Sequence, residues 1–171
     1  MKMYIKGTFS GNFNVYFEGM DEIITVRHIP MSSTYQVTVD GEVITMIKDL
    51  KDNYCVYMDN TEDPEIIISR KSKIKMGLGY RTFVAIPLVE IPVGRFMCVC
   101  SDGTIITEEK DRKDYDLYAN GQHVATINDK LGIIGGLSGG TKTIMTFYDG
   151  GQDYFPQLLF LFIARAIELQ V

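Results

Sequence analysis

The chain has no tryptophan, and among its 171 residues there are only two histidines and three cysteines. Cys55, Cys98 and Cys100 are too few and too irregularly placed for a disulfide scaffold. With His28 and His123 as the only histidines, a metal site would run short of ligands, so no metal and no cofactor is expected. Asp59, Glu62 and Asp63 lack the glycine and the terminal glutamate of a calcium loop. Basic charge is also in deficit. Seventeen Lys and Arg stand against 22 Asp and Glu, for a net charge of -5, and a general nucleic-acid binder would normally be basic. Five prolines and 16 glycines exclude collagen-like or low-complexity character. Long apolar runs are missing as well. Met1-Lys2-Met3-Tyr4-Ile5-Lys6-Gly7 carries no signal-peptide pattern. The longest apolar segment, Phe155 to Ile167, contains Arg165 and falls short of the ~20 residues that span a bilayer. The expectation is a cytoplasmic protein with no transmembrane segment.

What is present is a globular composition, 46% hydrophobic and 23% charged, at a length that suits one domain over residues 1–171. Most of it alternates with a period of two and is rich in Val, Ile, Thr, Tyr and Phe. Strands are predicted over Met3–Phe9, Asn12–Phe17, Glu22–Ile29, Thr34–Val39, Val43–Lys48, Asn53–Met58, Glu65–Lys71, Arg81–Glu90, Arg95–Cys100, Thr104–Glu108, Tyr115–Ala119, His123–Ile127 and Thr141–Tyr148. Asp40-Gly41, Asp102-Gly103 and Asn120-Gly121 supply hairpin turns. Within Arg95–Cys100, Cys98 and Cys100 would point the same way, as two reduced core thiols. Tyr35–Gly41 recurs as Tyr115–Gly121, and the register holds on to Ile47 and Ile127. Either an internal duplication or the common features of two hairpins would explain this.

After Asp149-Gly150-Gly151 the period changes. Leu158-Leu159-Phe160-Leu161-Phe162-Ile163-Ala164 is an unbroken apolar run, with Asp153 as the expected N-cap and Pro156 in the first turn. The predicted helix, residues 154–169, has no polar stripe before Arg165 and Glu168. A helix apolar all round is buried all round. An eight-stranded barrel has room only for its own side chains, but a can of about eleven or more strands admits a central helix. The predicted fold is therefore mainly β: a closed antiparallel barrel of about twelve strands around a buried hydrophobic C-terminal helix. Arg165 and Glu168 would emerge at one mouth.

Three features resemble the tubby C-terminal-like superfamily, which includes the tubby proteins, the phospholipid scramblases and the LURP-one-related proteins. One is the pair Tyr35–Val39 and Val43–Lys48 around Asp40-Gly41. Another is Tyr115–Gly121 running into His123-Val124-Ala125-Thr126-Ile127-Asn128-Asp129-Lys130. The third is the terminal strand Thr141–Tyr148 followed by the apolar helix. The resemblance implies a twelve-stranded barrel around its C-terminal helix. Family roles range from phosphoinositide binding to lipid movement. The long N-terminal extensions of tubby proteins and the Pro- and Cys-rich segments of scramblases are not found here, so no lipid-site residue transfers by motif.

The candidate site is a charge block. Between Glu65 and Glu90 stand Arg70, Lys71, Lys73, Lys75 and Arg81 with no acid. In a strand Lys71, Lys73 and Lys75 share a face, about 7 Å apart, and Gly77 and Gly79 would let a ligand approach the backbone. Such a row suits an anionic lipid headgroup or phosphate. It is equally the pattern of a solvated face that discourages edge pairing. Gly136-Leu137-Ser138-Gly139-Gly140 matches G-x-S-x-G, but a strand follows it and no histidine comes later. Gly135 and Gly140 fit a P-loop, yet Thr141 stands where lysine is required. Gly132–Gly140 reads as a flexible connection. His28 reads as structural and His123 as exposed. Glu108, Glu109 and Asp111 fall in a charged segment, Glu108–Asp116, read as a solvated turn. The expected role is a non-catalytic binding module, recognising a phosphoinositide or another anionic headgroup from the barrel exterior and peripheral to a membrane. A protein-interaction scaffold is the alternative.

Overall fold

The computed structural model describes residues 1–6, 12–58, 61–77, 88–111, 114–130 and 142–169, with backbone alone for 71–77, 88–95, 110–111, 129–130, 142 and 169. Twelve strands follow one another: β1 (Lys2–Lys6), β2 (Phe13–Phe17), β3 (Ile23–His28), β4 (Thr34–Val39), β5 (Glu42–Lys48), β6 (Tyr54–Tyr57), β7 (Ile66–Gly77), β8 (Leu88–Cys100), β9 (Ile105–Asp111), β10 (Asp114–Ala119), β11 (Gln122–Lys130) and β12 (Lys142–Phe147). Each pairs antiparallel with its neighbours in the chain. β1 then closes the ring on β12, with Met3 opposite Met145. Closure leaves the ring without free outer strands.

Alternation sets the inside. Phe13, Val15 and Phe17 of β2 are buried while Asn14 and Tyr16 are half-buried. Ile24 and Val26, Val37, Met46, Ile106, Leu117 and Met145 continue the inner wall. The Asp40-Gly41 and Asn120-Gly121 turns have positive φ at both residues, 49° and 80° in the first and 49° and 86° in the second. That is the mirror-image turn that matches strand twist.

The helix α1 (Phe155–Leu169) follows β12 through a 3-10 turn, Gly151–Tyr154. Asp153 lies within that turn and so does not cap α1, contrary to the sequence expectation. Every residue from 158 to 167 is at most 7% exposed, and ten successive helical residues point in every direction. The strands they reach lie around the whole ring. Phe155 meets Phe17 of β2 and Phe147 of β12. Arg165 meets Glu108 of β9 and Tyr115 of β10. Glu168 meets Lys48 of β5 and Tyr54 of β6. The helix is therefore enclosed by the barrel. Its 15 residues rise about 22 Å, enough to run from the lower end, where it enters, to the upper mouth.

Gly151 is the tight point of the entry. A Cβ placed there would fall well inside contact distance of the Val124 carbonyl oxygen, a backbone atom that cannot rotate away. Gly151→Ala is expected to destabilise the fold by about 1–3 kcal/mol, the usual cost of overpacking, read as a lower urea midpoint at unchanged slope.

Three expectations are corrected. Residues 108–116 are not a solvated turn: β9 runs to Asp111, β10 starts at Asp114, and Glu108 is 1% exposed. Arg165 does not emerge at the mouth but is buried, and of the two only Glu168 reaches it. The segments predicted separately as Arg81–Glu90 and Arg95–Cys100 contribute to one strand, β8, which passes through Pro92. Above Met97, β8 has only β7 as a neighbour among the described residues, so the missing N–H of Pro92 interrupts no second ladder. Cys98 and Cys100 do face the same way, buried and free, with sulfurs 3.8 Å apart.

Candidate functional site

With the interior filled by α1, ligands are left with the outer wall, the rims and whatever projects from them. β7 and β8 project. β6 pairs with β7 only at Ile66, Ile67 and Ile68, and β9 pairs with β8 only at Met97, Cys98 and Val99. Beyond Arg70↔Phe96 the two strands continue together through six further pairs, from Ser72↔Val93 to Gly77↔Leu88. Six residues of strand reach about 20 Å. This ribbon rises from the upper end of the barrel, beside the mouth where α1 ends.

Parity along β7 sorts the cations. Ile66, Ile68 and Arg70 face the barrel interior. Lys71, Lys73 and Lys75 occupy the intervening alternate positions of the strand. Lys73 lies across from Pro92 and Lys75 across from Glu90, and the ladder shifts register at Lys71. Arg70 is not part of that row. Its guanidinium lies 4.5 Å from the Phe96 ring centroid and 3.8 Å from a Glu168 oxygen. Arg81, Gly79 and the segment from Gly132 to Gly140 with Ser138 lie outside the described residues, as does Asp59.

The upper mouth itself is a knot of opposite charges. Glu168 accepts hydrogen bonds from the Tyr54 hydroxyl at 2.7 Å and from Lys48 Nζ at 3.1 Å. Lys48 also lies 3.6 Å from Asp52. Burial alone would raise the Glu168 pKa, but Tyr54, Lys48 and Arg70 together pull it below the usual carboxylate value. Burial and the adjacent Glu168 push the Tyr54 hydroxyl far up. A carboxylate with a lowered folded pKa stabilises above its unfolded value, and that contribution is lost as pH falls through the folded one. The window here lies below the ordinary 4.5. Glu168→Gln is expected to flatten the acid limb of stability. A series of urea midpoints from about pH 7 to about pH 3 would show wild type falling more steeply than the variant.

Below the knot, Arg165 Nη1 donates to both Glu108 oxygens at 3.1 and 3.2 Å, and its guanidinium lies 3.6 Å from the Tyr115 ring centroid. On the outer wall, Thr126 Oγ1 donates to Asp116 at 2.7 Å and meets His123 Nε2 at 3.1 Å, and His123 stacks on Tyr148 with centroids 4.4 Å apart. His28 Nε2 donates to the Ser32 carbonyl at 2.7 Å, a structural role. The knot escaped sequence reasoning, although a signal existed. Arg70 shares parity with Ile66 and Ile68, and Glu108 shares parity with Ile106, so both had to face inward.

No helix of the described residues is long and apolar enough to cross a membrane. The architecture defines the class, a closed twelve-stranded antiparallel barrel around a C-terminal helix. No protein-family model matches the chain, and no curated protein and no solved structure matches it.

Proposed function

We propose that this chain is a non-catalytic binding module that recognises an anionic lipid headgroup, a phosphoinositide foremost, through the outer face of the β7–β8 ribbon. One observation carries the reading. The ribbon leaves the barrel with Lys71, Lys73 and Lys75 at alternate positions along β7, while Arg70 turns inward to Glu168. A row of cations about 7 Å apart along a strand is drawn to an anionic surface at about 1 kcal/mol per basic residue. The chain would then work at the surface of a membrane. The barrel-with-helix architecture also supports placing it with the tubby C-terminal-like proteins, the resemblance drawn from its hairpins and terminal helix.

Sedimentation with phosphatidylcholine vesicles, with and without an added phosphoinositide, tests this at near-physiological salt. Wild type is expected to pellet only with the doped vesicles. At about 1 kcal/mol per lysine, losing three of them weakens binding roughly a hundredfold or more. Lys71→Glu, Lys73→Glu and Lys75→Glu combined should therefore leave the protein in the supernatant with its thermal unfolding unchanged. A wild type that never pellets removes the proposal.

A further inference from the structure

The lower end of the barrel carries a feature that the ribbon does not use. β6 is four residues long and covers β5 only from Thr45 to Lys48. Glu42, Val43 and Ile44 have β4 on one side and, among the described residues, no strand on the other. A groove of about 620 Å³ opens there between β5 and the end of β6, with Val43, Ile44, Tyr57 and Met58 in its walls.

The groove runs over the outer face, along Val43, Thr45, Ile47 and Tyr57, to Ile44 and Met58. Ile44 pairs with the fully buried Val37 and belongs to the inner face, while Val43 is 58% exposed on the outer face. Ile44 and Met58 lie just beyond Thr45↔Tyr57, where the β5–β6 ladder ends among the described residues, so the groove meets an edge of β5 there. Backbone polarity agrees. The Lys48 N–H bonds the Ser33 carbonyl on the β4 side. Successive residues of an antiparallel strand turn their N–H and C=O to opposite sides. By that count Val43 presents its donor and its acceptor to the groove.

The surroundings specify an occupant. An adjoining pocket of about 310 Å³ shares Glu42, Ile44 and Met58 with the groove and is floored by Phe155, Leu159 and Phe160 of α1. It suits an apolar side chain. The rim is acidic. Asp40 and Glu42 line the pocket, and no basic residue among the described ones lines either cavity. Glu22 lies against Asp40, and that hydrogen bond and repulsion raise its pKa, as a neighbouring carboxyl does.

We propose that this edge takes up an extended peptide segment of a partner protein, with apolar residues at alternate positions and a flanking lysine or arginine, added as a strand beside β5. Val43 supplies main-chain hydrogen bonds, the pocket over α1 selects an apolar side chain, and Glu42 and Asp40 receive the cation. This is strand addition, in which the backbone gives affinity and alternate pockets give specificity. The slot lies at the opposite end of the barrel from the ribbon, so either proposal can fail without the other.

The test uses the full chain, immobilised, and a displayed library of random peptides, counter-selected against the Glu42→Lys chain. Glu42 is exposed, so that variant should fold normally. Enriched peptides are expected to alternate apolar residues and to carry Lys or Arg. A synthetic copy should shift the backbone amide resonances of Val43, Thr45 and Tyr57 and bind Glu42→Lys at least about tenfold more weakly. Val43→Pro, which removes the donor, should lose the peptide altogether. Three results overturn the inference: no enrichment over the Glu42→Lys chain, resonance shifts confined to other regions, or a concentration-dependent dimer, abolished by Val43→Pro, that occupies the edge with a second copy.

Discussion

Replacing Arg165 with methionine is expected to lower the free energy of unfolding by about 3–5 kcal/mol, a large share of the roughly 5–15 kcal/mol that holds a domain of this kind together. The loss comes from the partner left behind. Glu108 is 1% exposed at the side chain, and Arg165 Nη1 sits within 3.1–3.2 Å of both its oxygens. Without the guanidinium, a carboxylate in the core must either stay charged and unpaired or take up a proton. Burial already raises the Glu108 pKa, and Arg165 opposes that rise. In the variant the opposition is gone and the folded pKa climbs further. A carboxyl whose folded pKa exceeds its unfolded value weakens the fold as pH rises between the two values, because unfolding then releases the proton. The variant should therefore lose stability from acid toward neutral pH more steeply than wild type. Methionine in place of Arg165 combined with Glu108→Leu removes both charges and should recover most of the loss. Chemical denaturation of the four chains gives the coupling directly. A single variant as stable as wild type would mean that the pair is solvated.

The second large effect concerns the plug itself. Leu161 is fully buried in the middle of α1. Leu161→Ala is expected to destabilise by about 2–5 kcal/mol, toward the upper end of that range. The cost of a cavity depends on how far its walls can relax. Here the wall is a closed ring of twelve strands, each paired with two neighbours over at least part of its length, and its circumference resists collapse. Leu161→Asp should go further and abolish the cooperative thermal transition at neutral pH, since a carboxylate in this core loses its water while Arg165, one turn on, is already held by Glu108. Circular dichroism during heating distinguishes the outcomes. A cooperative melt of Leu161→Asp within a few degrees of wild type would show that the helix lies against the barrel and not inside it.

The strands and turns could be read from the chain because their causes are local. Val, Ile, Thr, Tyr and Phe at every second position, broken by Asp-Gly and Asn-Gly, specify strands and the positive-φ turns between them. Thr34–Val39 is observed with the bounds predicted for it. The unbroken apolar run at the C-terminus was equally legible, since a helix with no polar stripe needs a wall on all sides. β8 was harder. The strands predicted separately over Arg81–Glu90 and Arg95–Cys100 contribute to one that continues through Pro92, which sits where β8 lacks a second neighbour among the described residues and the ladder tolerates it.

The amino-acid order determined the barrel-forming alternation, the turns and the helix that fills the barrel. Only the tertiary structure decided which charges meet. Glu108 and Arg165 lie 57 positions apart, and Lys48 and Glu168 lie 120 apart, so no local pattern could pair them. The structure also decided where β6 stops, which leaves Glu42, Val43 and Ile44 without a second neighbouring strand among the described residues, over the start of the helix. Periodicity is a property of neighbouring residues, whereas charge pairing and edge exposure depend on where distant strands end.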